Sequence, residues 1–576
     1  MEINLNRLVQ VAAGDKPADL VIRGAAVACV YSGTFIEGDI AIAEGLIAGI
    51  GSYQGEKTIE AKGLYALPGF IDSHIHIEST HLCPEELGTL LVPHGTSTII
   101  ADPHEIVNIG GLNALDYMLN AAEFSPLEIF FTLPSCVPAT PFENNGAALD
   151  ACALSGPLLQ ERVLGLGEFM DFTGVCRAET AALDKIRAAW KAGKIIDGHS
   201  PGLSGNALNA YCAMRIHTDH ECSTAQAALD RISRGMYVML RQGSACKDIV
   251  NLLPAITPQN ERRCLFCSDD RQPKTIFEEG HVDGHMRLAV ANGLDPMTAI
   301  RMATLNAADC YHLSDRGAIA PGLRADIALV NNPRDFNVCK MFIGGVLAGE
   351  DGRCLVPVTR YDDSALRGRF NVRDFSVSKL SLRLKSDDVY VIDVKPGMVE
   401  TVKGRAVITR NEDGEYLYDA ASGIAKLAVV ERHKGTGNVG VALIRGFGPR
   451  AGALALSVTH DSHNIIAAGA NDADMAYAVE TLIAMGGGVI AAKDGVTLAA
   501  MPLPLGGIMS DQNGEWVEAA LARIHHAAEH ELGIEAGHDP LITLCFMALP
   551  VIPELKLTDK GLFDVQSFSF IPLEAR

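Results

Sequence analysis

Two histidines one residue apart, His74 and His76, close the apolar run 64–72. On a strand, side chains two apart share a face, so both imidazoles can lean toward one metal ion where the strand stops. Four more groups of ligand type follow at later strand ends: Glu168 after 163–167, His199 after 194–198, His220 after 216–219 and Asp269 after 264–268. Together these four imidazoles and two carboxylates make a ligand set for two divalent cations. Such a set suits Zn²⁺, Mn²⁺ or Fe²⁺ and is too rich in nitrogen for Ca²⁺ or Mg²⁺ alone. Glu168 is the carboxylate expected to bridge the pair. Two such cations lower the pKa of a shared water toward about 7, giving hydroxide at neutral pH. Asp269 is then the group to take that water's proton and pass it to a leaving group. The expectation is a metal-dependent hydrolase.

The elements that must position these residues follow a regular pattern. Between 65 and 310 the chain alternates apolar strand, polar loop and amphipathic helix, with strands near 65–72, 96–101, 127–134, 162–168, 194–198, 215–219, 236–241 and 263–268. Eight such units in about 245 residues predict an α/β fold, a (β/α)8 barrel, whose chemistry sits at the C-terminal strand ends. Residues 1–64 read as short strands between glycine turns, and 311–359 return to that pattern. These two flanks are expected to form one small β-sandwich domain interrupted by the barrel at 65–310, with a C-terminal α+β domain at 360–576.

Pro68-Gly69-Phe70-Ile71-Asp72-Ser73-His74-Ile75-His76 resembles the start of the barrel in the amidohydrolase superfamily, and Ala320-Pro321-Gly322-Leu323-Arg324-Ala325-Asp326-Ile327-Ala328 resembles its return into the small β domain. Within that superfamily the chain is similar to the bacterial adenine deaminases. The likeness rests on His76-Ile77-Glu78-Ser79, Asp102-Pro103-His104-Glu105, Asp197-Gly198-His199-Ser200-Pro201-Gly202, Ser268-Asp269-Asp270-Arg271 and His460-Asp461-Ser462-His463-Asn464. It implies hydrolysis of adenine to hypoxanthine and ammonia at a binuclear centre, with Mn²⁺ expected first and Fe²⁺ or Zn²⁺ as alternatives. It also implies protonation of a ring nitrogen by a carboxylic acid, with Glu168 as candidate, and delivery of a proton to the departing amine by Asp269. Many superfamily members place a carbamylated lysine near this strand end. Glu168 stands there instead, which argues against a dihydroorotase or hydantoinase. The competing reading is a metal-dependent amidohydrolase or deacetylase acting on a cyclic or acyl amide. A barrel without catalysis, serving as a binding module, is disfavoured by the intact ligand set.

Several further residues are candidates for substrate contact or additional metal: Glu78, His104, Glu105, Arg241 (toward a purine ring nitrogen), His460, Asp461 and His463. The segment 460–464 is expected to fold over the barrel mouth, and 502–509 reads either as part of that lid or as a plain loop. His217, Asp219 and Glu221, flanking His220, are read as local hydrogen-bonding groups. His281 and His285 stand i, i+4, but without an HExxH context they are expected on a surface helix. Gly435-Thr436-Gly437-Asn438-Val439-Gly440 fits G-x-G-x-x-G, yet a strand-like run follows where a dinucleotide site needs a helix, so a hairpin turn is predicted. Cys264-Leu265-Phe266-Cys267 reads as buried strand. The zinc nucleobase deaminase signature is incomplete, because no P-C-x-x-C follows the H-x-E at 76–78.

Composition bounds the partners. With 576 residues, 48% hydrophobic and 20% charged, the chain is multidomain and well buried. A formal charge of −22 argues against nucleic acid or an anionic membrane as partner. A small-molecule substrate, adenine, is expected, with a homodimer or larger assembly by base rate alone. Fourteen cysteines without a repeating pattern, no stretch long enough to span a bilayer and no secretory pattern at residues 1–7 suit a cytoplasmic enzyme.

Overall fold

The computed structural model describes residues 3–535 and 537–575. Eight parallel strands form the central α/β barrel: β1 Phe70–Ile75, β2 Thr96–Ala101, β3 Glu128–Leu133, β4 Val163–Phe169, β5 Ile195–Gly198, β6 Thr218–Asp219, β7 Tyr237–Arg241 and β8 Cys264–Cys267. β1 to β5 form one continuous parallel ladder and β6 to β8 another. The two runs meet at both seams. The His217 amide donates to the Ile196 carbonyl at 2.8 Å, and a parallel bridge pairs Ile75 with Asp269. The curl is therefore complete.

The period-2 pattern explains the layers. Ile71, Ile100, Phe130, Leu164, Ile195, Met239 and Leu265 pack together inside the ring with Tyr311. The alternate residues Phe70, Ile99, Ile129, Val163, Ile196, Val238 and Phe266 join the larger core beneath the surrounding helices. Both faces are buried, which is why these strands read as near-continuous apolar runs. A filled interior leaves the C-terminal rim as the place for polar chemistry.

Sequence from both flanks is knitted together at the barrel's entrance. Tyr65–Pro68 pairs in parallel with Ala26–Cys29 and antiparallel with Ile327–Val330, inside a seven-stranded sheet. A four-stranded sheet of Leu46–Gly51, Asp39–Ala43, Ala18–Arg23 and Gly55–Glu60 shares with it a core of Ile22, Val27, Ile40, Ile42, Ile327 and Phe342. Toward the C-terminus, an eight-stranded sheet runs from Thr401–Val407 at one edge to Val496–Pro502 at the other. Helix Asp472–Met485 packs its Met475, Val479 and Leu482 against one face of that sheet.

The glycine-rich stretch 435–440 joins two antiparallel strands, Ile424–Val430 and Val439–Arg445, as expected of a hairpin connection. Cys264 and Cys267 are buried strand residues. One expectation is corrected. His281 and His285 are fully buried, not on a surface helix. The His281 ring bridges three elements: Nδ1 meets Thr96 Oγ1 at 2.8 Å, and Nε2 lies 3.0 Å from Ser268 Oγ and 2.9 Å from Asp72 Oδ2. A carboxylate buried inside β1 needs a partner, and helix Val282–Ala291 is anchored beneath the barrel by supplying one at its N-cap. Among the described residues, no helix is long and apolar enough to cross a membrane.

Candidate active site and metal centre

All six expected ligands converge at the C-terminal rim. His74 Nε2 and His76 Nε2 lie 3.2 Å apart, and Asp269 Oδ1 is 3.7 Å from the first and 3.2 Å from the second. Across the rim, Glu168 Oε2 lies 2.7 Å from His199 Nδ1 and 3.2 Å from His220 Nε2, and those two nitrogens are 3.3 Å apart. The other Glu168 oxygen, Oε1, faces His76 Nε2 at 3.7 Å. One carboxylate therefore spans two three-donor groups. The His74 and His220 rings stack with centroids 4.2 Å apart, placing the groups side by side.

These donors fit a pair of divalent cations. His76 Nδ1 sits 2.9 Å from the Asp102 carbonyl, an acceptor, so that nitrogen carries the ring proton. Its Nε2 lone pair then points at a carboxylate oxygen and at the facing imidazole nitrogen of His74. Such a convergence of lone pairs in a buried place is stable only around a positive charge. The chemistry of the set, four imidazoles and two carboxylates, suits transition-metal cations.

Electrostatics point the same way. Burial works to raise the Glu168 carboxyl, but the imidazoles of His199, His220 and His104 override it and hold it well below the ordinary carboxylate range. Burial likewise opposes ionisation of Asp269, which His74, His76 and the Arg241 guanidinium hold well below its ordinary value. Burial alone would lower His199, yet Glu168 and Glu221 push it up to about 9. Both carboxylates are held in the charged form by the imidazoles and the guanidinium around them.

Buried carboxylates and one glycine fix this geometry. Asp72 Oδ1 accepts from the Ser268 amide at 3.0 Å and the His74 amide at 3.3 Å, stitching β1 to β8. Asp269 itself takes a left-handed backbone (φ 56°), tolerable for Asp, and its amide donates to the His74 carbonyl at 3.0 Å. Asp102 Oδ2 accepts from the Glu168 amide at 2.9 Å. That bond requires Gly167, because a side chain there would overlap the Asp102 carboxylate. Asp72 and His281 are supporting residues that the sequence did not single out for the site, and Asp102 belongs to the segment 102–105 already quoted for the family likeness. Their signal was present: an aspartate inside a strand apolar on both faces must have a buried partner.

The additional candidates divide. His104 joins the centre, its Nδ1 3.2 Å from Glu168 Oε1. Glu105 turns away from the rim group toward His460 and His463, which reach in from the C-terminal sheet. Asp461 lies with them, near His104. Loop 502–509 sits behind this group, where the Ile508 carbonyl meets His81 Nδ1 at 3.1 Å. Glu78 is buried beneath, with its Oε1 accepting from the Ile106 amide at 3.0 Å, and burial raises it to about 7. Arg241 is committed to protein carboxylates: Nη1 to Asp269 at 3.0 Å and to Glu221, Nε and Nη2 to Asp248 at 3.2 and 3.1 Å. It steadies Asp269. Asp219 is a local partner as expected, bonded to Arg231. Glu221 goes further than local bonding: its Oε1 lies 3.9 Å from His199 Nδ1 and 3.6 Å from His220 Nε2, at the wall of the site.

Above the ligands opens a cleft of about 500 Å³. Ser135, Phe169, Phe172 and Lys185 line it from the barrel side, and Glu400, Asp461, Phe546, Leu549 and Ile552 from the C-terminal region. The roof of the site is thus built from chain that runs from Glu400 to Ile552, well beyond the last ligand, Asp269.

Comparison with known proteins agrees with this arrangement. The amidohydrolase family profile matches residues 65–348, and the profile of the adenine deaminase C-terminal domain matches 400–569. The chain is 56% identical over 571 residues to adenine deaminase 2 of Desulfotalea psychrophila, covering 99% of each protein. It belongs to the adenine deaminase family. Other members are the adenine deaminases of Nitratidesulfovibrio vulgaris, 48% identical with 98% of each chain covered, and of Geobacillus kaustophilus, 45% identical over the full length of both. Family membership carries divalent-metal use with it, and the histidine and carboxylate clusters at the rim could bind such ions.

Proposed function

We propose that this protein hydrolyses adenine to hypoxanthine and ammonia. The observation that carries the reading is the pair of three-donor groups spanned by Glu168, in a chain alike from end to end to proteins named adenine deaminase. His74, His76 and Asp269 would hold one divalent cation and His199 and His220 the other, with Glu168 between them and Mn²⁺ the favoured metal. Bound there, the pair supplies a strongly activated water as nucleophile at neutral pH.

The remaining work falls to side chains. Asp269 accepts the proton from the attacking water and hands it to the departing amine, and Arg241 keeps it ionised and aimed. Glu168 is the expected ligand between the two groups and the candidate acid toward a ring nitrogen. Glu221 lines the cleft beside His199 and His220 with its carboxylate bonded to Arg241, and is placed to meet a polar edge of the base. Phe169 and Phe172 offer apolar surface for a planar base, and the C-terminal roof excludes water. The domain division favoured is a small β-sandwich domain from 1–64 and 311–359, a barrel over 65–310 and a C-terminal domain over 360–576. A cytoplasmic homo-oligomer remains the expected form.

Metal-free and Mn²⁺-loaded protein should be assayed for ammonia release from adenine, beside adenosine, cytosine, N-acyl sugars and cyclic amides. Metal-dependent ammonia from adenine alone is the expected result. Mn²⁺-loaded protein that leaves adenine intact and cleaves an amide would refute the assignment in favour of the acyl-amide reading.

A further inference from the structure

A second group of ligand-type side chains lies beside the rim, at the junction of the barrel with the C-terminal sheet. Glu105 Oε1 faces His460 Nδ1 and lies 3.4 Å from His104 Nε2. Asp461 Oδ1 is 4.0 Å from each of those nitrogens. Two carboxylate oxygens and two imidazole nitrogens thus surround one point. His104, Glu105 and Asp461 are at least 96% buried there.

Both His104 nitrogens face carboxylates: Nδ1 lies 3.2 Å from Glu168 Oε1 and Nε2 3.4 Å from Glu105 Oε1. His104 Nδ1 and Asp461 Oδ2 are buried without a hydrogen-bond partner. His463 is not a competing ligand. Its Nδ1 accepts from the Thr459 amide at 3.2 Å, so its proton sits on Nε2, facing Glu105 Oε2. That leaves Glu105 Oε1 aimed into the cluster. Two carboxylates with two neutral imidazoles carry a charge of −2, which one divalent cation cancels.

We propose that His104 Nε2, Glu105, His460 Nδ1 and Asp461 form a third divalent-cation site, separate from the rim pair and fastening the C-terminal domain across the barrel mouth. A two-nitrogen, two-oxygen set takes Mn²⁺, Zn²⁺ or Fe²⁺. Two ligands come from the barrel helix His104–Gly110 and two from the C-terminal region, so the ion is a cross-link between domains. It holds Asp461 and the neighbouring Phe546 in the wall of the cleft.

The test is a difference in metal content. Wild-type, His460→Gln and Asp461→Asn proteins are stripped, equilibrated with excess Mn²⁺, desalted and measured by elemental mass spectrometry, with circular dichroism to show that each is folded. The wild type should retain one equivalent more than either variant. Because a difference is read, the result does not depend on how many ions the rim holds or on whether adenine is the substrate. An anomalous-scattering map of Mn²⁺-soaked wild-type crystals should show a peak between Glu105 and His460. Equal metal content in folded variants and wild type overturns the proposal. Should both variants fail to fold, a wild-type map without that peak overturns it equally.

Discussion

Replacing Gly167 by alanine tests whether the centre depends on a hydrogen bond that only glycine permits. A Cβ at this position would overlap Asp102 Oδ2, approach Asp102 Cγ to 2.5 Å and Oδ1 to 2.9 Å. Asp102 is fully buried, and its Oδ2 holds the Glu168 amide at 2.9 Å. To reach an ordinary contact the carboxylate must retreat by roughly 1 Å into packed surroundings, at a cost of about 1–3 kcal/mol for overpacking. Losing a charged acceptor for the Glu168 amide adds about 1.5–3 kcal/mol. Gly167→Ala should therefore lower the unfolding free energy by roughly 2.5–6 kcal/mol, measured by urea denaturation. In the fraction that stays folded, a shift of that size at Glu168 should cost about 100-fold in kcat/KM on adenine. Gly156→Ala is the control: Gly156 has helical backbone angles and open space around its Cβ position. It should be neutral or stabilising by about 0.4–1 kcal/mol. A Gly167→Ala protein with wild-type stability and turnover would show that the Asp102 contact does not position Glu168.

Asp269→Asn keeps the shape of the side chain but removes the proton acceptor, so kcat should fall by about 10²–10⁴ even after turnover is normalised to bound Mn²⁺; activity within tenfold of wild type would remove Asp269 from the proton-transfer role. Glu221→Gln should lower kcat over a similar range while metal content stays at the wild-type level, and a loss of metal in step with activity would make Glu221 a ligand instead. Lys556 gives a pH signature. Burial, opposed only by Glu400, lowers its amine from 10.5 to about 7. Below pH 7 the folded protein carries a buried cation that the unfolded chain would hydrate, a penalty of about 5 kcal/mol from a shift of about 3.5 units. That penalty shrinks as pH rises from 7 to 10.5 and is gone above, so wild-type stability should climb across this window. Lys556→Met should flatten the climb and be the more stable protein at pH 6, by an amount reduced by about 1 kcal/mol for the lost bond to the Val399 carbonyl. Identical stability–pH curves for the two proteins would contradict this account.

The barrel was legible because its strands are buried on both faces. Each is an apolar run that stops near a polar ligand, so counting runs located six of the eight strands within a residue or two; β1 begins at Phe70 and not at 65, because Tyr65–Pro68 pairs into the flanking sheet, and β6 shrinks to Thr218–Asp219. What could not be read locally was pairing between distant elements. The histidines at 281 and 285 carry a helical spacing that fits a surface as well as a core; the deciding fact is the Asp72 carboxylate inside β1, almost 210 residues earlier. Arg241 looked free to meet substrate because nothing nearby in sequence reveals that Glu221, Asp248 and Asp269 all turn toward it. The same holds for Glu105, whose partners His460 and His463 arrive on a different sheet.

These long-range pairings share one physical logic. The ligands stand where strands end, and a strand end is where the ladder stops holding the backbone. These ends are fixed by further carboxylates: Asp72 binds the His74 and Ser268 amides, Asp102 the Glu168 amide, and Asp219 the amides of Ser200 and Glu221 beside His199 and His220. The barrel's closing seam and its chemistry coincide, because the bridge between Ile75 and Asp269 joins the first strand to the last at the very residues that face the metal site. A change that opens the seam must also separate His74 and His76 from Asp269. Metal loading and barrel closure should accordingly be coupled, with each stabilising the other, as binding to the folded state alone requires.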